Sequence, residues 1–168
     1  MEWCKIKEQQ PVVLMFACMR CSYSAADLAG TLKLQYNPIV RILRLPCTGR
    51  VDVNHILRGL VDGADAVISV GWHPGDCEYK VGNLACARRV KFVRELLKDI
   101  GINEDRVQMH FVSAAEADKL KDIIEKVAAD VEKMGLNPLK KQKSIEWLFR
   151  LKELLWIGHP CTGIDYSV

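Results

Sequence analysis

Short apolar runs alternate with amphipathic stretches along most of the chain. Val12 to Ala17 is an apolar, β-type run after Pro11, and it breaks at Cys18-Met19-Arg20-Cys21. Ser22 or Ser24 is placed to cap a short helix over Ala25 to Ala29, with Gly30 as its stop. Val40 to Leu45 alternates Ile42 and Leu45 with Arg41 and Arg44, which predicts a second strand ending at Pro46-Cys47-Thr48-Gly49. Asp52 or Asn54 opens a helix carrying Ile56, Leu57, Leu60 and Val61, and Gly63 closes it. Ala66 to Val70 reads as a buried strand running into Gly71-Trp72-His73-Pro74-Gly75-Asp76-Cys77. Cys86, Val90, Val93, Leu97 and Ile100 then recur at helical spacing up to Gly101. Val107 to Val112 predicts a fourth strand. Ser113, with Glu116 three residues on, makes a capping-box pattern ahead of the stripe Ala117, Leu120, Ile124, Val127, Val131 and Met134.

Strand-then-helix order, repeated four times, predicts an α/β fold of three layers: a mainly parallel four-stranded sheet with helices on both faces. The pattern changes at Asn137-Pro138. Residues 11–136 therefore read as the α/β domain, and residues 137–168 as a linker and C-terminal helical tail. A helix over Ser144 to Ile157 has one narrow polar stripe, Glu146, Arg150 and Glu153, while Trp147, Phe149, Trp156 and several leucines cover the rest. So apolar a helix needs burial, on its own domain or in a partner's groove, and two tryptophans and a phenylalanine suit partner docking.

Composition narrows the function. With 168 residues, 49% of them apolar, the chain has material for a real core, and a net charge of +3 is too small to point to nucleic acid. No run of 18 apolar residues crosses a bilayer, and the polar segment from Met1 to Gln10 has no signal-peptide character, so a cytoplasmic location is the expectation. Seven cysteines, an odd number, are out of keeping with a disulfide framework in a reducing compartment.

Four of those cysteines follow strands. Cys18 and Cys21 come after the first, Cys47 after the second, and Cys77 in the loop after the third. In a parallel sheet these loops emerge at one edge, the carboxyl ends of the strands, where open α/β sheets place their sites. Four thiolates gathered there fit a metal ion or a cluster; zinc and iron–sulfur centres both take such a set. Glycines 49, 71 and 75 allow close backbone approach, and Arg20 and Arg50 can offset anionic charge. Cys86 lies on the apolar stripe of its helix and reads as a buried inert thiol; Cys4 has no assigned role, and Cys161 reads as incidental. His73 adjoins the site as a ligand or hydrogen-bond donor, His55 reads as surface, and His110 as a core histidine.

Four stretches together carry a resemblance: Cys18-x-x-Cys21-Ser22-Tyr23, Ala26-Asp27-Leu28-Ala29-Gly30, Pro46-Cys47-Thr48-Gly49-Arg50-Val51-Asp52, and His73-Pro74-Gly75-Asp76-Cys77-x-Tyr79 with Gly82-Asn83. From about Val12 to Met134 the chain resembles the delta, iron–sulfur subunit of methyl-viologen-reducing hydrogenase, found with heterodisulfide reductase in methanogens. The resemblance implies a 2Fe–2S protein in which Cys18, Cys21, Cys47 and Cys77 match family cysteines. It also implies an electron-transfer subunit, passing electrons from a hydrogenase or formate dehydrogenase module to a flavin-containing heterodisulfide reductase subunit. The family usually reads Cys-His-Pro-Gly-Asp-Cys where this chain has Trp72 in the first place. Trp72 beside the site is expected to cover it or to pack on a partner, or to be ordinary core. Two other readings stay open from the residues: a thioredoxin-like thiol–disulfide oxidoreductase using Cys18 and Cys21, and a structural zinc module using all four.

Overall fold

A computed structural model describes residues 10–140; the expected tail helix, Cys4 and Cys161 lie outside them. Within that span the elements follow the hydrophobic pattern: β1 Val13–Cys18, α1 Ser22–Thr31, β2 Val40–Leu45, α2 Val53–Val61, β3 Ala66–Gly71, α3 Gly82–Asp99, β4 Val107–Phe111 and α4 Ala117–Met134. The four strands form one sheet in the order β2-β1-β3-β4, and every pairing is parallel.

Side-chain alternation along β1 builds both halves of the core. Val13, Met15 and Ala17 face one layer, packed with Leu120, Ile124 and Val127 of α4 and Ala25 of α1. Leu14 and Phe16 face the other, with Ile56 and Leu60 of α2 and Val93 and Leu97 of α3. Period-two alternation between two apolar layers explains why the central strands read as nearly continuous apolar runs.

Helix starts are where local sequence signals are least reliable. Asp52 caps α2 as expected, its Oδ1 accepting from Asn54 N at 3.0 Å while its own amide donates to His55 Nδ1 at 3.0 Å. α1 instead begins at Ser22 and runs through Gly30, and Cys21 occupies its N-cap position without a side-chain cap. The Ser22 hydroxyl donates to Val70 O at 2.7 Å, tying α1 to the end of β3, which outcompetes a local cap. At α4 the N-cap residue is Glu116, not Ser113. Only the reciprocal half of the expected capping box forms: Glu116 Oε2 accepts from Ser113 N at 2.6 Å.

A buried polar cluster closes the amino edge of the sheet. Asp65, fully buried, accepts from Val12 N and Asn137 N at 2.9 Å each and from Lys140 Nζ at 3.3 Å. Arg106, 3% exposed, donates to Asp65 O at 2.8 Å and to the carbonyls of Met134, Gly135 and Leu136 at 3.0–3.2 Å. Asn137, the first residue of the expected tail, is itself buried and donates to Leu60 O and Ala64 O. A buried carboxylate with this many donors is stabilising only while all of them remain matched.

These contacts make stability testable in two places. Asp65→Ala leaves the Val12 and Asn137 amides and the Lys140 ammonium unmatched, and should cost on the order of 3 kcal/mol in urea unfolding. Burial, reinforced by Lys126 and opposed by Asp130, pushes His110 down to about 4. A histidine depressed in the folded state contributes stability in full above its unfolded value near 6.5, and that stability is lost as pH falls from there toward 4. His110→Gln should flatten that part of the stability–pH curve, by no more than about 3 kcal/mol.

Candidate metal centre

Strand order makes the site. From β1 the chain crosses to β2 on one side and later to β3 on the other, so the loops after β1 and β3 diverge and leave a crevice at the carboxyl edge. Cys18 is the last residue of β1, and Cys21 stands at the start of α1. Cys47 is the N-cap residue of a one-turn 3-10 helix over Thr48–Arg50, directly after β2. Cys77 lies in the loop between β3 and α3. Cys18, Cys21 and Cys47 are buried and Cys77 is half-buried.

The four thiols stand as two pairs. Cys47 Sγ and Cys77 Sγ are 3.9 Å apart. Adjacent sulfurs around a tetrahedral metal with ~2.3 Å bonds are separated by about 3.8 Å, so this pair is already at ligand spacing. Cys18 Sγ donates to Pro46 O at 3.8 Å, Cys18 and Cys21 are near enough for each to shift the other's thiol, and Cys47 feels the charge of both Cys77 and Cys18. Among the described residues, no group of three or more His, Cys, Asp or Glu side chains converges as a single ion requires. Four cysteine thiols gathered at one sheet edge are a donor set that zinc and iron–sulfur centres both take.

The end of α3 completes the cradle. A Cβ on Gly82, its first residue, would lie 2.6 Å from Cys47 Sγ and 3.4 Å from Cys77 Sγ. A Cβ on Gly49 would lie 2.9 Å from Gly82 Cα. Two glycine backbones thus meet beside the sulfurs with no space for a side chain. The first residue of an 18-residue helix lies against that thiol pair, so the helix N-terminus adjoins the sulfurs.

Backbone amides supply the rest of the polar environment. The neighbouring Cys21 thiol, helped by the amides of Arg20, Cys21 and Thr48 and opposed by burial, pulls the Cys18 thiol down to about 6. Cys18 in turn, with burial, drives Cys21 upward. Burial also raises Cys47, against the Gly49 amide, which donates to Cys47 Sγ at 3.3 Å. Amides aimed at sulfur are the groups that tune a thiolate-held centre.

The neighbouring residues divide. Arg20 Nε pairs with Glu78 Oε2 at 3.0 Å, bridging the first and third cysteine loops at the surface, and Arg50 is exposed. His73 is occupied elsewhere: its Nε2 lies 2.8 Å from Glu116 Oε2, with Lys119 Nζ at 3.5 Å. The Ser113 amide first, then His73, pull the Glu116 carboxyl down to about 2. Trp72 is half-buried, and Asn83 Nδ2 donates to the carbonyls of both Trp72 and His73 at 2.8 Å. Cys86 is fully buried, as its stripe position implies, and burial pushes its thiol up to about 11. His55 is exposed and His110 is half-buried, bonded to Gln108 Oε1 at 2.9 Å. A cavity of about 460 Å³ along β4, lined by Arg94, Gln108, His110 and Lys126, includes none of the four cysteines.

Comparison with known proteins gives the family. A family model described as methyl-viologen-reducing hydrogenase, delta subunit, matches residues 13–135. The chain is 51% identical over 132 residues to the vhu iron-sulfur subunit of the F420-non-reducing hydrogenase of Methanocaldococcus jannaschii, covering 79% of this chain and 98% of that protein. It is 41% identical over 131 residues to the protein of the same name in Methanococcus maripaludis, covering 78% and 98%. It is also 33% identical over 129 residues to a subunit of the CoB-CoM heterodisulfide reductase of Methanosarcina acetivorans, covering 77% of this chain but 16% of that much longer protein.

The glycine contact is testable with cobalt(II), whose thiolate absorption reports sulfurs gathered on metal. Gly82→Ala should weaken that absorption severalfold, since a Cβ there collides with Cys47 Sγ. Gly30→Ala, where a Cβ meets nothing within 4 Å, should leave it unchanged.

Proposed function

Because this chain belongs to the methyl-viologen-reducing hydrogenase delta-subunit family, we propose that it is the iron–sulfur, electron-transfer subunit of a hydrogenase–heterodisulfide reductase complex. In this reading Cys18, Cys21, Cys47 and Cys77 hold one 2Fe–2S cluster. The observation that carries it is the gathering of two thiol pairs at the sheet's switch point, with a helix N-terminus and several amides facing the sulfurs.

When bound, such a cluster accepts and donates one electron at a time. The chain's own residues do the rest. Burial of Cys18, Cys21 and Cys47 excludes water, and the amides of Arg20, Thr48 and Gly49 stabilise negative charge on sulfur. Cys77 is the least buried ligand, and Tyr79 and Val81, in the same loop, are 56% and 62% exposed. We place the electron's entry or exit on this side. The donor is a hydrogenase or formate dehydrogenase module and the acceptor a flavin-containing heterodisulfide reductase subunit. Support for the acceptor comes from the Methanosarcina relative, in which a segment like this chain is part of a longer heterodisulfide reductase polypeptide.

A thiol–disulfide reading has one observation in its favour: Cys18 is lowered to about 6 while Cys21 is raised, as in a nucleophile and its resolving partner. It gives no role to the Cys47–Cys77 pair. Protein purified without oxygen decides between the readings. The cluster reading expects a brown protein with about two iron and two sulfide per chain, and a paramagnetic resonance signal on reduction by one electron. A colourless protein with one zinc, or a metal-free protein whose Cys18 and Cys21 cycle reversibly, would refute it.

A further inference from the structure

Gly82, Cys86 and Arg89 lie at positions i, i+4 and i+7 of α3, one face of the helix. Gly82 packs on Cys47 Sγ. Arg89 reaches the same loop from further along: its Nη1 donates to Gly49 O at 2.8 Å and to Val51 O at 2.9 Å. One guanidinium nitrogen therefore spans the turn that follows Cys47. Gly49 is the residue whose amide donates to Cys47 Sγ and whose backbone touches Gly82. Through these two carbonyls Arg89 fixes both.

The charge on Arg89 is available to the site. Its side chain is half-buried, and among the described residues no carboxylate lies within salt-bridge distance of it. Arg20 differs, being largely exposed and paired with Glu78, so solvent and the carboxylate screen it. The buried Cys86 thiol, one turn from both Arg89 and Gly82, feels the charges of Arg89 and of Cys47 together, which places both close to that part of the helix. An unscreened positive charge near a thiolate-held centre favours the state with one more electron.

We infer that Arg89 is a positioning residue for the Cys47 side of the site, clamping that loop onto α3 through Gly49 and Val51 and holding the centre's reduction potential up through its uncompensated charge. The inference rests on the cluster reading above. Neither role is declared by the loops that bear the cysteines, because Arg89 lies within a helix 12 residues beyond Cys77.

The test uses the full chain, purified anaerobically with its iron, in redox titrations followed by paramagnetic resonance. Arg89→Gln removes the charge, and Arg88→Gln removes the same charge from an exposed neighbour. The expected result is a downward shift in midpoint for Arg89→Gln severalfold larger than for Arg88→Gln; equal shifts would overturn the electrostatic role. Arg89→Lys keeps the charge, but its ammonium ends one bond short of the Nη1 position that reaches both carbonyls. It should titrate near the wild-type midpoint while losing iron to a chelator several times faster. Iron retention equal to wild type would overturn the clamp, and this arm stands even where Arg89→Gln fails to keep its iron. Wild-type protein that holds no iron would sink the cluster reading and this inference with it, a failure visible before any variant is made.

Discussion

Gly49 and Gly82 meet backbone to backbone, with a virtual Cβ on the first only 2.9 Å from the Cα of the second. The arrangement of thiols on this side depends on that contact. Gly49 belongs to the turn that carries Cys47, and Gly82 begins the helix that follows Cys77. Bringing these two backbones together sets the 3.9 Å separation of the two sulfurs and lays the helix N-terminus against them. The same approach leaves no space for a side chain and little for water, so the local dielectric is low and amide and helix-dipole contributions are felt strongly.

The sheet supports this edge by being closed firmly at the other. Asp65, Arg106 and Asn137 join the starts of β1, β3 and β4 to the end of α4 through buried hydrogen bonds. The parallel register then carries strand ends forward together, so that Cys18 lies opposite Leu45 and Met19 N donates to Leu45 O at 2.7 Å. Polar interactions therefore occur at both ends of a sheet whose central strand β1 is wholly apolar between them. At the amino edge they lock one geometry; at the carboxyl edge they hold the loops, and the Gly49 amide points at sulfur.

Much of the fold is legible in the sequence because period-two and helical patterns are set by the core. β2 is legible to the residue, and the stripe of α4 is the one that packs on β1. The four cysteines can be assigned to one edge because parallel topology puts every strand's end there. Their pairing is not legible, since spacing along the chain does not say which loops touch; Cys77 meets Cys47, 30 residues away, through a glycine contact. Ser22 looks like a cap in the sequence, but its real partner, Val70 O, lies 48 residues on. Asp65, Arg106 and Arg89 give no signal for the same reason. Each acts on main-chain atoms distant in sequence, and a charged residue in a loop or helix ordinarily signals a solvated surface.

The setting of Trp72 is intelligible in these terms. Asn83, fully buried in the first turn of α3, binds the carbonyls of residues 72 and 73, so the loop's path is set by main-chain acceptors that any residue supplies. The following side chain, His73, is fastened to Glu116, which is itself held by the Ser113 amide. Neither attachment uses the side chain at position 72. Tryptophan at 72 therefore leaves the loop's path unchanged, and the four thiols of the sheet edge lie apart from its attachments. The backbone scaffold of the loop and the chemistry of its cysteines are thus separable. Asn83, Gly82 and Glu116 hold the former, and the residue at 72 is free to vary in what it presents beside the site.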